Sequence, residues 1–261
     1  MNKALRSTLL LAFLATASPL LAQDGDDGGW IVSVGPGLAY EPSFPGSDKM
    51  EAKFWPIIAA RREGSERRFY TPDDSFGLSL TGDPRFRFGP AVEIERGRQE
   101  DDVPGLDRVK STIEAGAFLE YFAGSFRLRA DFLQGINGHK GLVGEVGADF
   151  ISGSPDEQFH FSIGPRASFA SGKYVRAFYG ISPGESVASG LAAYDPDGGF
   201  HSIGALAFTE YKLSPRVAVQ GYGRYDRLQG DAADSPLVRS DYGSRDQFEV
   251  GAGLTYTFNM F

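Results

Sequence analysis

Apolar and polar residues alternate one for one along most of this chain. Near the C-terminus, Val250, Ala252, Leu254, Tyr256 and Phe258 fall at every second position, with Gly251, Gly253, Thr255 and Thr257 between them. Successive side chains of a strand point to opposite faces, so this period marks β-strands with two unlike faces. Elsewhere the contrast is sharper. Phe86, Phe88, Val92 and Ile94 alternate with Arg87, Gly89, Glu93 and Glu95, and Phe126, Leu128 and Phe132 oppose Arg127, Arg129 and Asp131. Phe159, Phe161, Ile163, Ala167 and Phe169 share one face, while His160, Ser162 and Arg166 share the other. Aromatic and aliphatic residues outside with charges inside is the pattern of a barrel set in lipid. A soluble β-sandwich shows the same alternation and is the competing reading.

The pattern predicts an all-β fold, an antiparallel transmembrane β-barrel of about twelve strands. The strands fall at residues 30–40, 51–61, 69–80, 86–96, 111–123, 125–136, 142–150, 158–170, 174–181, 200–211, 216–228 and 246–261. Pro56 predicts a bulge or local break in the second strand. Pro72, Asp73 and Asp74 interrupt the third. With the C-terminus in the periplasm, the long loops 182–199 and 229–245 fall outside the cell, and the turns 170–173 and 212–215 fall in the periplasm. The same parity puts the charged connection 97–110 in the periplasm and the Gly124 turn outside. Both lengths run against the rule of short periplasmic turns and long outer loops.

Composition adds a route to the membrane. Lys3 and Arg6 precede a short apolar run, and Ala22 ends a plausible cleavage region. Residues 1–22 are thus expected to be a cleaved signal peptide, residues 23–29 a mobile acidic lead-in, and 30–261 a single barrel domain. There is no cysteine, which excludes disulfides and thiolate metal sites. The net charge is -8; losing Lys3 and Arg6 leaves 24 basic against 34 acidic residues, or -10. That balance argues against a nucleic-acid partner. The 34 glycines suit closely packed, strongly twisted strands.

The inward faces hold the candidate chemistry. Arg87, Glu93, Glu95, Glu114, Glu120, Arg127, Arg129, Asp131, Glu145, Asp149, Arg166, Arg224 and Asp226 are the expected lumen charges. Both signs occur in similar numbers. Mixed charges lock a narrow barrel; a channel instead needs uncompensated charge along a water path. His160 and Ser162 share a face, and with Glu145 they resemble the base, nucleophile and orienting acid of an outer-membrane lipid A deacylase. That would place a hydrolytic site on the lumen side rather than at the lipid, so the residues read more simply as lumen lining. The run Asp195-Pro196-Asp197-Gly198 has the look of a calcium-loop fragment but lacks further acidic ligands, and reads as a solvated turn.

Several segments carry a family resemblance. They are Gly35-Pro36-Gly37, the run from Tyr40 through Glu41, Pro42, Ser43, Phe44, Pro45 and Gly46 to Ser47, and Trp55-Pro56. Others are the strand from Glu114 to Tyr121, Gly138-His139-Lys140-Gly141, Ser189-Gly190-Leu191 with Tyr194, and the run from Tyr225 to Pro236. In order and spacing the chain resembles the MipA/OmpV family of outer-membrane proteins, named for interaction with the murein hydrolase MltA. The resemblance implies a non-enzymatic barrel without a cofactor. It also implies lipid contact in the outer membrane and a scaffolding role toward murein hydrolases and synthases in the periplasm. On that reading the expected partner contact is the 97–110 connection, with Arg98, Asp101, Asp102, Asp107 and Arg108. A narrow solute channel is the alternative function.

Overall fold

The computed structural model describes residues 29–260. The expected signal peptide and nearly all of the expected lead-in lie outside the described residues. The structure is one antiparallel sheet of eleven strands curled around a lumen. The strands are β1 (Trp30–Pro42), β2 (Met50–Arg62), β3 (Phe76–Gly77), β4 (Phe86–Glu95), β5 (Thr112–Ala123) and β6 (Phe126–Gly135). They continue as β7 (Leu142–Ser152), β8 (Phe159–Ala170), β9 (Gly199–Ser214), β10 (Val217–Leu228) and β11 (Asp246–Met260). Three short helices, α1 (Gly172–Tyr179), α2 (Pro183–Ser189) and α3 (Gly230–Asp234), sit in the loops after β8 and β10. The last strand pairs with the first, Trp30 opposite Met260 and Tyr40 opposite Val250. The two sheet edges are β2 and β3.

The alternation resolves as expected for lipid outside and charge inside. Phe86, Phe88, Ile94, Leu128, Phe132, Phe150, Ile163, Phe169, Val250 and Tyr256 are exposed on the outer face, while Arg127, Asp149, Arg166 and Glu210 are buried in the lumen. A soluble sandwich would bury that apolar face. No helix among the described residues is long and apolar enough to cross a membrane.

Three expectations are corrected. First, residues 174–181 form α1 and its cap, not a ninth strand. Tyr174, Val175, Phe178 and Tyr179 are the buried residues, a spacing of one helical face rather than of a strand. Second, the third strand shrinks to β3, with only a few further edge contacts: the Leu78 and Leu80 N–H groups donate to Pro90 and Phe88 carbonyls. Third, Pro56 causes no bulge. It lies directly opposite Pro36, and β2 is an edge strand, where a missing N–H costs no ladder bond.

Eleven strands repair the parity. With every neighbouring pair antiparallel, the loops 43–49, 96–111, 136–141, 171–198 and 229–245 share one end. The two-residue turns at 124–125 and 215–216 share the other with Trp30 and Met260. The 97–110 connection therefore lies on the long-loop end, opposite the periplasmic position expected of it. The same count makes β2 and β3 run in the same direction. A chain that descends twice in succession needs an ascent between, and residues 63–75 supply it through the lumen.

Candidate functional site

The crossing segment is the centre of the molecule. At the short-turn end, Arg67 makes a two-pronged contact with Glu210 at 2.6 and 2.7 Å. Phe69 is buried against Leu206 and Phe208, and Tyr70 donates to Gln220 at 2.9 Å. Further up, Asp73 accepts from Arg166 at 2.6 Å and lies 3.4 Å from Arg224. Asp74 accepts from Arg127 at 2.6 Å. The Ser75 hydroxyl donates to Asp131, and Arg129 Nη2 donates to the Ser75 hydroxyl at 2.8 Å. At Phe76 the chain rejoins the wall.

The wall supplies the counter-charges as a continuous network. Arg127 reaches Glu120 at 2.6 Å and Asp149 at 3.2 Å besides Asp74. Arg166 also meets Asp149 at 2.9 Å, and Arg224 meets both Glu145 and Asp226 at 2.5 Å. Charges taken out of water are tolerated only when each finds its partner, so the network admits the segment in one position. Of the lumen residues expected from sequence, Arg127, Arg129, Asp131, Glu145, Asp149, Arg166, Arg224 and Asp226 join this network. Arg87 stands at its edge, 3.9 Å from Glu120 and over the Phe122 ring. Asp73, Asp74, Thr71 and Ser75 were missed, because residues 69–80 read as wall. The one available signal was the Pro72-Asp73-Asp74 interruption of the alternation.

Above the network lies a cavity of about 390 Å³, lined among others by Glu93, Glu95, Glu114, Tyr174 and Tyr222. Among the described residues, neither Glu93 nor Glu95 has a basic side chain within ion-pair distance, whereas Glu114 Oε1 lies 2.8 Å from His139 Nε2. The Gly141 N–H donates to His139 Nδ1 at 3.0 Å. His160 and Ser162 are both buried. They do not form the relay the sequence offered: Glu145 is committed to Arg224, and the Ser162 hydroxyl has no hydrogen-bond partner.

The long-loop end is closed by a packed cap. Tyr174, Val175, Phe178 and Tyr179 of α1 pack with Val109, Leu228, Ala233 and Val238. Beside them, Phe44, Val103, Leu106, Ile181 and Leu237 form a second cluster. Arg98 is 2% exposed; it donates to the Phe178 and Asp107 carbonyls at 2.9 Å each, and burial lowers its pKa. Helix α2 carries a capping box between Ser182 and Glu185, and the same Glu185 accepts the Asp107 N–H at 2.9 Å. Burial would raise the Glu185 carboxyl, but the Asp107 and Ser182 N–H groups, the Ser182 hydroxyl and the Arg98 charge outweigh it and hold it below the usual carboxylate range. Of the expected partner contacts, Arg98 is thus a cap core residue, and Asp102 caps the turn by accepting the Gln99 N–H at 2.6 Å. Asp101, Asp107 and Arg108 are exposed on the cap. Most of the resemblance segments, at residues 40–47, 138–141, 189–194 and 225–236, also meet in this cap.

A family model described as MltA-interacting protein MipA matches residues 34–258. The chain belongs to the MipA family. Among curated relatives, the MltA-interacting proteins of Escherichia coli (strain K12) and Shigella flexneri are each 32% identical over 81 residues. The match covers 31% of this chain and 31% of each relative, so the chain spans about a third of the curated relatives it matches. Among solved structures, OprG of Pseudomonas aeruginosa is 12% identical at a TM-score of 0.33, covering 90% of this chain and 98% of that one. OmpT of Vibrio cholerae is 9% identical at 0.36, covering 90% and 99%. The barrel assignment rests on the strands themselves. Family membership and the lipid-facing belt together put this MipA-family chain in the outer membrane, where short turns face the periplasm.

Proposed function

We propose that the protein is a plugged outer-membrane anchor whose short-turn end docks a murein-remodelling enzyme. The observation that carries the reading is the crossing segment: with residues 69–75 locked in the lumen and a cap above, the barrel offers surfaces rather than a pore. The E. coli relative's printed name supplies the partner class, a murein enzyme of the MltA type. Docking then falls on the periplasmic rim, where Arg68 and Arg85 are exposed, and not on the 97–110 connection. The test is co-purification of a lytic transglycosylase from solubilised envelopes. Arg68→Glu with Arg85→Glu is expected to abolish capture, while deleting residues 99–108 leaves it intact. Capture unaffected by the two charge reversals, or absent from the wild type, refutes the reading.

A second reading is a gated channel, favoured by the cavity and its two acids without cationic partners, Glu93 and Glu95. Conductance of the refolded barrel in a planar bilayer separates the two. Silence fits the anchor; steady cation-selective steps that vanish in Glu93→Gln with Glu95→Gln fit the channel.

A further inference from the structure

At the long-loop end a groove of about 1140 Å³ runs between the 97–110 loop, the 136–141 turn and α1. Its acids are mostly occupied. Glu185 takes the Asp107 and Ser182 N–H groups, and Asp195 lies 3.9 Å from Arg176. Arg108, Lys110 and Lys140 also line it, and none of their three side chains has an ion-pair or hydrogen-bond partner among the described residues. Against them stands one unoccupied carboxylate, Asp107. A chain of net charge -8 thus gathers three free cations on one concave surface.

The backbone holds these cations in place. Thr112 Oγ1 accepts the His139 N–H at 3.3 Å and donates to the Lys110 carbonyl at 3.4 Å, tying the two lysine-bearing segments together. Lys140 itself sits at φ 52°, the one non-glycine residue among those described with a positive φ. A left-handed lysine is a costly choice that persists where its surroundings over-determine it. The groove also meets the lipid belt. Ile136 lines it and is 64% exposed, and its N–H donates to the carbonyl of Ile113, which is itself 48% exposed on the outer face. The cations therefore stand where the apolar belt gives way to the headgroup layer.

We propose that this groove binds the phosphorylated headgroup of a glycolipid in the outer leaflet, with Arg108, Lys110 and Lys140 on the phosphates and Ile136 beside the acyl chains. Arginine forks and lysine point charges are the side chains that recognise phosphate. The site lies on the opposite end from the murein-facing rim and does not depend on that reading.

The test is titration of the refolded, detergent-solubilised barrel with four probes: diphosphorylated lipid A, dephosphorylated lipid A, the soluble bisphosphorylated disaccharide, and inorganic phosphate. The variant is Arg108→Gln, Lys110→Gln and Lys140→Asn together; Asn accepts the left-handed backbone and carries no charge. Lys49→Gln, on the same end but outside the groove, is the control. The expected result is tight binding of diphosphorylated lipid A alone, weakened roughly threefold to tenfold for each cation removed, with Lys49→Gln unchanged. Protease resistance of the cap at the level of the wild type shows that the triple variant is folded. Should the cap not form, each single substitution is read in its place. Equal binding of the dephosphorylated lipid overturns the proposal. Equal binding of the soluble disaccharide overturns the membrane source, and an equal loss in Lys49→Gln shows charge attraction without a site.

Discussion

Replacing Asp73 and Asp74 together with Asn tests whether ion pairs hold the crossing segment in the lumen. Asp73 lies 2.6 Å from Arg166 and 3.4 Å from Arg224, and Asp74 lies 2.6 Å from Arg127. The three guanidiniums keep Asp149, Glu145, Asp226 and Glu120 as wall partners, so the wall survives and the loss falls on the segment. Breaking a buried pair costs about 3–5 kcal/mol; the remaining wall partners put each carboxylate at the low end, about 3 kcal/mol. At about 1.4 kcal/mol per factor of ten, even one such loss raises the undocked fraction about a hundredfold. The chain has no cysteine, so Thr71→Cys provides a single thiol in the segment, at a position 1% exposed. Labelling by a membrane-impermeant maleimide should be slow in the Thr71→Cys chain and at least about a hundredfold faster once both aspartates are Asn. Brief conductance steps should appear with it. Equal labelling rates, with the barrel still showing its heat-dependent shift on a gel, would refute the plug argument. If the double variant does not fold, Asp74→Asn alone carries the same test.

Other expectations concern the cap. Phe178→Ala empties a fully buried ring position and should destabilise cap packing by about 3–5 kcal/mol, seen as rapid cleavage of residues 171–198 by added protease while the barrel stays folded. Glu185 sits below the usual carboxylate range, so its contribution is present above the unfolded value and is lost as pH falls through the folded one. The α2 contact with the 97–110 loop should therefore loosen below about pH 4, and Glu185→Gln should remove that pH dependence of proteolysis. Gly105 has φ 85°, and an added Cβ would lie 2.6 Å from the Ala188 backbone. Gly105→Ala should detach the loop from α2 without changing labelling of the crossing segment.

The wall was legible because lipid and lumen impose opposite demands on alternate residues. Strands β4 to β8 and β10 begin and end within two residues of where the alternation put them, and the inward positions of Arg127, Arg166 and Arg224 follow from the same period. The crossing segment was hidden for a physical reason. Phe69 and Tyr70 are apolar enough to pass for wall, and nothing local distinguishes an aromatic that faces lipid from one that packs against Phe208 inside. Asp73 and Asp74 become meaningful only beside Arg166 and Arg127, some 50 to 90 residues away. Helix α1 was lost similarly: eight residues between two turns are too few for a helical period to outvote a barrel context. That one miscount displaced the 97–110 connection to the wrong side of the membrane.

The crossing also constrains the order in which the molecule can be made. Residues 63–75 leave the wall at β2 and return to it at β3, so both ends are stitched into the sheet. No free end is available to pull through a finished cylinder. The segment joins the two open edges of the sheet, β2 and β3, so it is laid against the inner face as the sheet curls. A barrel that closed too early would trap these residues on its outside. Four carboxyl and hydroxyl groups, on Thr71, Asp73, Asp74 and Ser75, would then meet lipid instead of arginine, which gives the wrong topology a penalty of several kcal/mol at each.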